Sequence, residues 1–177
     1  NAEPEMGGNY WLRAGIICQR LERHEDALEH LREACDRLPQ DPTPRYHLGL
    51  SYDHLGRLGE ALGAYRQAAN LAPHEPAYRR ELGRAAHRLG RLNEARDETW
   101  RALQLNHDDA EIRAQLGAIA ETSGDDVEAL AHYRQAAKLI PDKVQYTGKV
   151  AALLRQRGQY EEALAAVQEG LRVDPED

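Results

Sequence analysis

Residues 42–75 read PTPRYHLGLSYDHLGRLGEALGAYRQAANLAPHE. Apolar side chains recur at helical spacing twice within these 34 residues. Leu48, Tyr52 and Leu55 follow Pro42 and Pro44, and Gly56 then interrupts. Leu58, Ala61, Leu62, Tyr65, Ala68, Ala69 and Leu71 run on to Pro73. Glycine tolerates the left-handed conformation that closes a helix, and proline cannot supply the next helical N–H. The stretch therefore reads as two amphipathic helices, over 43–55 and 58–71.

Shifted by its own length, the pattern recurs along the chain. One column is Gly15, Gly49, Gly83, Gly117, Ala151, and another is Ala27, Ala61, Ala95, Ala129, Ala163. A third is Ala34, Ala68, Ala102, Ala136, Gly170, and a fourth is Pro39, Pro73, His107, Pro141, Pro175. The copies occupy 8–41, 42–75, 76–109, 110–143 and 144–177, with 1–7 expected as a frayed N-terminal tail. The same reading places the other helices at 9–21, 24–37, 77–89, 92–105, 111–122, 126–139, 145–157 and 160–173. Gly or Ala in the small columns lets paired helices approach, while Leu31, Tyr65, Tyr133 and Val167 fill the space beside them. A fixed period of this length signals a stacked repeat protein, whose function lies in a surface rather than a catalytic pocket.

Composition narrows the function classes. The net charge of −7 argues against broad nucleic-acid binding, which needs a dominant basic surface. No apolar run is long enough to span a membrane, and no signal segment opens the chain. Cys18 and Cys35 form no ligand pattern and fall on apolar columns, so they read as two small buried thiols. Such sparse cysteine usage points to a reducing, cytoplasmic compartment. The chain begins with Asn1, which suits a processed form or a segment of a longer protein.

The columns resemble the tetratricopeptide repeat (TPR) family. Trp11, Ala14, Gly15, Ala27, Leu31, Ala34 and Pro39 stand at the family's signature spacings in the first repeat, and Leu48, Gly49, Tyr52, Ala61, Tyr65, Ala68 and Pro73 in the second. Leu82, Gly83, Ala95 and Ala102, then Leu116, Gly117, Ala129, Tyr133 and Pro141, then Val150, Leu154, Tyr160 and Ala163 continue the match. Arg45, Arg79, Arg113 and Thr147 depart from the bulky residue matched by Trp11. Thr99, His107 and Asp126 depart as well, which puts local rigidity in doubt. The resemblance implies an all-α fold, a right-handed α-solenoid of five antiparallel helix pairs. First helices would line a concave groove and second helices its back. It also implies a non-catalytic scaffold that binds peptides or partner proteins.

On that arrangement the groove floor is Leu12, Tyr46, Arg80, Ala114, Gly148 and, one turn on, Ile16, Leu50, Arg84, Ala118, Ala152. Six groove columns hold seven basic residues (Arg13, Arg20, Arg80, Arg84, Arg88, Lys149, Arg155) against four acidic ones (Asp53, Glu81, Glu111, Glu121). A positive groove on an acidic chain favours an acidic ligand. Leu12, Ile16, Tyr46 and Leu50 add an apolar patch of the kind that marks a contact. The residues expected to bind are thus Leu12, Ile16, Tyr46, His47, Leu50, Arg80, Arg84, Arg88, Lys149 and Arg155. The rival reading of the arginines is a solvated helix face paired with Glu81 and Asp53. No three successive first helices carry the Lys/Asn/Asn/Lys/Arg set of the chaperone carboxylate clamp, so that mode is rejected.

Catalytic chemistry is missing from the sequence. No phosphate-binding, dinucleotide, nucleophile-elbow or zinc-protease pattern occurs. Ser51 and Ser123 have no base placed to activate them. His47, His54 and His87 lack the close thiolate or carboxylate of a zinc site, so no metal or cofactor is expected. Trp100 is expected to pack on the next repeat rather than stay exposed.

The resulting expectation is a protein–protein interaction scaffold, not an enzyme. Its groove would bind a peptide or partner segment that is acidic with an apolar anchor. Two alternatives are the recognition arm of a larger enzyme, such as a TPR-bearing glycosyltransferase, and a module that self-associates through its repeat ends.

Overall fold

The computed structural model describes residues 4–173. Ten α-helices and no strand occur among them. They are α1 (Pro4–Arg20), α2 (His24–Arg37), α3 (Pro42–His54), α4 (Leu58–Leu71), α5 (Pro76–Arg88), α6 (Leu92–Leu105), α7 (Ala110–Ser123), α8 (Asp126–Leu139), α9 (Val144–Gln156) and α10 (Tyr160–Val173). The second helix of every repeat matches its sequence-based bounds. First helices α3, α5, α7 and α9 begin one residue earlier than expected; the side chain before α3, α5 and α7 caps the helix, whereas Lys143 before α9 makes no such bond. Asp41 accepts from the Thr43 N–H at 2.8 Å with Pro42 opening the helix, and Asp109 accepts from Glu111 and Ile112 N–H at 2.9 and 3.0 Å. α1 starts at Pro4, so residues 4–7, expected as frayed tail, are helical. Residues 1–3 of that tail lie outside the described residues.

Between the helices of a pair the chain reverses through a left-handed residue. Gly56, Gly90, Gly124 and Gly158 have φ of 72°, 73°, 82° and 73°. The next N–H then reaches back five residues, as from Arg57 to the Tyr52 carbonyl at 2.8 Å. This closes the helix by the Schellman pattern. The first repeat makes the same turn, Arg23 N–H to Cys18 carbonyl at 2.9 Å, with Glu22 at φ 59°.

The small columns work as contact points. A Cβ on Gly49 would lie 2.5 Å from the Tyr65 ring, one on Gly117 would lie 2.9 Å from Tyr133, and one on Gly15 would lie 2.6 Å from Leu31. The chain forms two compact units, residues 1–98 and 99–177, dividing within α6. In the first, Leu12, Ala27, Leu31 and Ala34 form a core, and Ala61, Leu62, Tyr65 and Ala68 are buried on α4. In the second, Leu130 and Tyr133 of α8 cluster with Val150, Leu153 and Leu154 of α9.

Arginine in the Trp11 column does not loosen the repeats. Arg79 bonds Glu98 at 2.9 Å and the Pro73 carbonyl at 3.1 Å, with both side chains mostly buried. Arg113 bonds the His107 carbonyl at 2.9 Å, and Arg45 the Asp41 carbonyl at 3.3 Å. A planar fork of donors ties the first helix to the loop before it. Trp11 itself packs on His30 at 5.4 Å. Trp100 leans edge-on against His132 of the next repeat at 5.6 Å, yet stays 39% exposed.

Candidate ligand-binding face

Within residues 1–98 the expected apolar patch is smaller than the sequence suggests. Leu12 is not a surface residue: it is 8% exposed and packs into the core with Ala27, Leu31 and Ala34. Ile16, Tyr46 and Leu50 are half-buried and retain contact with solvent. Tyr46 sits among rings, 5.1 Å from Tyr78, 5.5 Å from His47 and 6.0 Å from Tyr65. Burial first, then the Glu81 carboxylate, pushes its hydroxyl above the ordinary tyrosine range.

His47 is held in place rather than presented freely. Its Nδ1–H donates to Gln19 Oε1 at 2.8 Å, while Gln19 Nε2 donates to the His47 carbonyl and to buried Ser51 Oγ, both at 2.7 Å. Burial lowers its pKa, so the ring stays neutral at pH 7. Gln19 thereby fixes α1 to α3.

The arginine ladder of α5 rests on two recessed carboxylates. Arg80 approaches Glu81 at 3.3 Å, and Arg84 pairs with both Glu81 and Asp53 (3.6 Å to the latter). Arg88 pairs with Asp53. The Glu81 and Asp53 side chains are only 5% and 14% exposed, whereas Arg84 and Arg88 are 47% and 45% exposed. Three guanidiniums over two carboxylates keep a positive excess, and the buried acids hold the arginines in fixed directions. The arginines are paired beneath with Glu81 and Asp53, as the solvated-face reading expects, and Arg84 and Arg88 stay exposed above.

Within residues 99–177 the first helices carry a second, sparser set. Lys149 reaches Glu121 at 3.1 Å and lies 5.8 Å from the centre of the Tyr133 ring. The Tyr133 hydroxyl donates to Glu121 at 2.9 Å. Burial and that bond push the hydroxyl far up. Arg155 is exposed, and Gly148 has open space where a side chain would be. No group of three or more candidate metal ligands occurs among the described residues. His54 stacks on His24 with ring centres 4.3 Å apart. No periodicity signals this contact, because it joins the end of one helix to the start of another 30 residues away.

The fold and the period are matched by known proteins. The tetratricopeptide repeat family model matches residues 46–104. The chain has the fold of the tetratricopeptide repeat proteins, and residues 46–104 match that family's repeat. Among solved structures, the chain is similar to MamA from Desulfovibrio magneticus RS-1, with a TM-score of 0.87, 17% identity and 95% of each chain covered. It is similar to TTC0263, a thermophilic TPR protein of Thermus thermophilus, with a TM-score of 0.73 and 26% identity over 96% of this chain and 93% of that one. It is also similar to YrrB, described as a TPR protein with an unusual peptide-binding site, with a TM-score of 0.75 and 20% identity over 94% and 86%. No curated protein matches it. Among the described residues, no helix is long and apolar enough to cross a membrane.

Proposed function

We propose that this chain is a non-catalytic scaffold whose first-helix face binds a peptide or partner segment that is acidic and carries an apolar anchor. The observation that carries the reading is the ladder of Arg80, Arg84 and Arg88 propped on recessed Glu81 and Asp53. Guanidiniums already oriented by buried acids lose little freedom when a ligand carboxylate arrives, and each offers a planar fork to it. The half-buried Ile16, Tyr46 and Leu50 of the same unit supply the apolar contact, with His47 beside them as a neutral polar neighbour. In the other unit Lys149 and Arg155 put positive charge on the α9 face. The likeness to YrrB, whose description names a peptide-binding site, agrees with peptide recognition.

The test is binding of fluorescent peptides that pair an acidic run with one Leu or Trp, read by anisotropy across a salt series. Wild type binds, and affinity falls as salt rises. Arg84→Glu/Arg88→Glu loses at least tenfold and flattens the salt dependence. Equal affinity of wild type and variant for every acidic peptide removes the reading.

A further inference from the structure

The turn between α1 and α2 departs from the turns inside the other pairs. Glu22 holds the left-handed conformation at φ 59° where Gly56, Gly90, Gly124 and Gly158 hold it elsewhere. His24, two residues on, stands at the position that Leu58 and Leu92 take in the next two repeats. A side chain in a strained backbone region points to function rather than to stability. Here both side chains line a pocket of about 560 Å³, whose other walls are Gln19 and Arg20 at the end of α1 and Leu50 and His54 of α3. The pocket lies within one unit, among elements that pack on one another inside the chain.

The two histidines meet face to face. Their rings are 6° from parallel with centres 4.3 Å apart, and the His24 Nδ1 is buried with no hydrogen-bond partner among the described residues. Burial first, then His54, holds the His24 pKa below the ordinary 6.5, against a smaller upward pull from Glu22. At neutral pH the formal charges lining the pocket are Arg20 and Glu22, which cancel. Protonation of the rings in acid sets three cations against one carboxylate. The acids next to the histidines in sequence are already paired: Asp53 with Arg84 and Arg88 of α5, Asp26 with Arg23, and Glu25 with Arg57 before α4. Two cationic rings face to face repel each other unless an anion lies against both.

We propose that this pocket is an acid-gated anion subsite of the ligand-binding face, taking a carboxylate of the ligand between Arg20 and the His24–His54 pair. The inference rests on the reading of that face as binding an acidic segment with an apolar anchor. Leu50 joins the two sites: it is half-buried on the face, and it lines the pocket one helical turn before His54. An anchor on Leu50 has the arginines of α5 on one side of α3 and the histidine pocket on the side of α1. The ligand is therefore an apolar residue with an acidic residue on each side of it. Glu22 keeps the subsite neutral until acid charges the rings, so its carboxylate sets the gate.

The first test needs no peptide. The His24 ring is followed by NMR from pH 7.5 to 5 in sodium formate, whose single carboxylate stays ionised, and in sodium chloride of equal ionic strength. Formate raises the proton affinity of His24 at least threefold over chloride and leaves the exposed His74 and His107 unmoved. His54→Gln abolishes the difference. The second test is anisotropy with a peptide that carries Leu flanked by acids. Its affinity for wild type rises at least threefold from pH 7.5 to 5.5, and that gain is lost in His24→Gln/His54→Gln. Glu22→Gln binds it more tightly than wild type at both pH values. Formate that leaves His24 unmoved overturns the subsite. So does a peptide that binds no more tightly in acid, or a gain that survives in the double variant. A peptide that fails to bind at either pH, while formate still acts on His24, removes the reading of the whole face and leaves the pocket as a carboxylate site.

Discussion

At the residue scale the repeats differ where a column is broken, and Glu22 is the clearest case. It takes the left-handed turn that Gly56, Gly90, Gly124 and Gly158 take elsewhere, at φ 59°. A side chain there is strained by roughly 1–2 kcal/mol, so Glu22→Gly should raise stability by about 1 kcal/mol. A urea midpoint that does not rise would show the strain to be relieved locally. The glycines inside helices divide in the same way. Gly49→Ala drives a Cβ to within 2.5 Å of the fully buried Tyr65 ring and should cost about 1–3 kcal/mol. Gly63→Ala meets nothing within 4 Å and should gain about 1 kcal/mol of helix propensity. Opposite shifts of the thermal midpoint are the check. The tyrosines of the large column also differ. The Tyr133 hydroxyl has Glu121, while Asp53, one methylene shorter at the equivalent place, is engaged with Arg84 and Arg88. The buried Tyr65 hydroxyl has no protein partner among the described residues.

At the element scale Arg45, Arg79 and Arg113 of the Trp11 column join α3, α5 and α7 to the loop before each. Arg79 is mostly buried, bonded to Glu98 and to the Pro73 carbonyl. Arg79→Ala should cost about 2 kcal/mol, as expected for a charged hydrogen-bonded pair away from water. Glu98→Gln, which keeps an acceptor, should cost less; equal losses in chemical denaturation would argue against the pair as the cause. The sequence showed that arginine stood at this column. It could not show that the guanidinium reaches a carbonyl six residues upstream, because that depends on how the loop is folded. The second-helix bounds were legible to the residue, because glycine before or proline after marks each of them, Glu22 and His107 being the exceptions on one side of α2 and of α6. The starts of α3, α5 and α7 shifted by one, because a cap is a hydrogen bond to a particular oxygen rather than a feature of apolar spacing.

At the scale of the whole molecule, both units respond to acid with one sign. His24, His47 and His87 in one unit and His132 in the other have pKa values lowered from 6.5, with burial the largest cause in each. A lowered histidine pKa means that the unfolded chain binds more protons below about pH 6.5. Stability is therefore fully present above that pH and is lost as pH falls toward the folded-state values. The thermal midpoint should be flat from pH 8 to 7 and should decline from pH 6.5 to 5.5. His47→Gln should shrink that decline; a midpoint that is level across the window would contradict it. The sequence by itself determined the period, the helix pairs and the columns, because steric fit between neighbouring helices repeats every 34 residues and leaves its mark in residue size. Only the tertiary structure decided how those columns are used. Leu12 went to the core, and Arg84 and Arg88 were propped on Asp53 and Glu81. Burial and ion pairing depend on which side chains of different repeats come within a few ångströms, and a one-dimensional pattern carries no such distances.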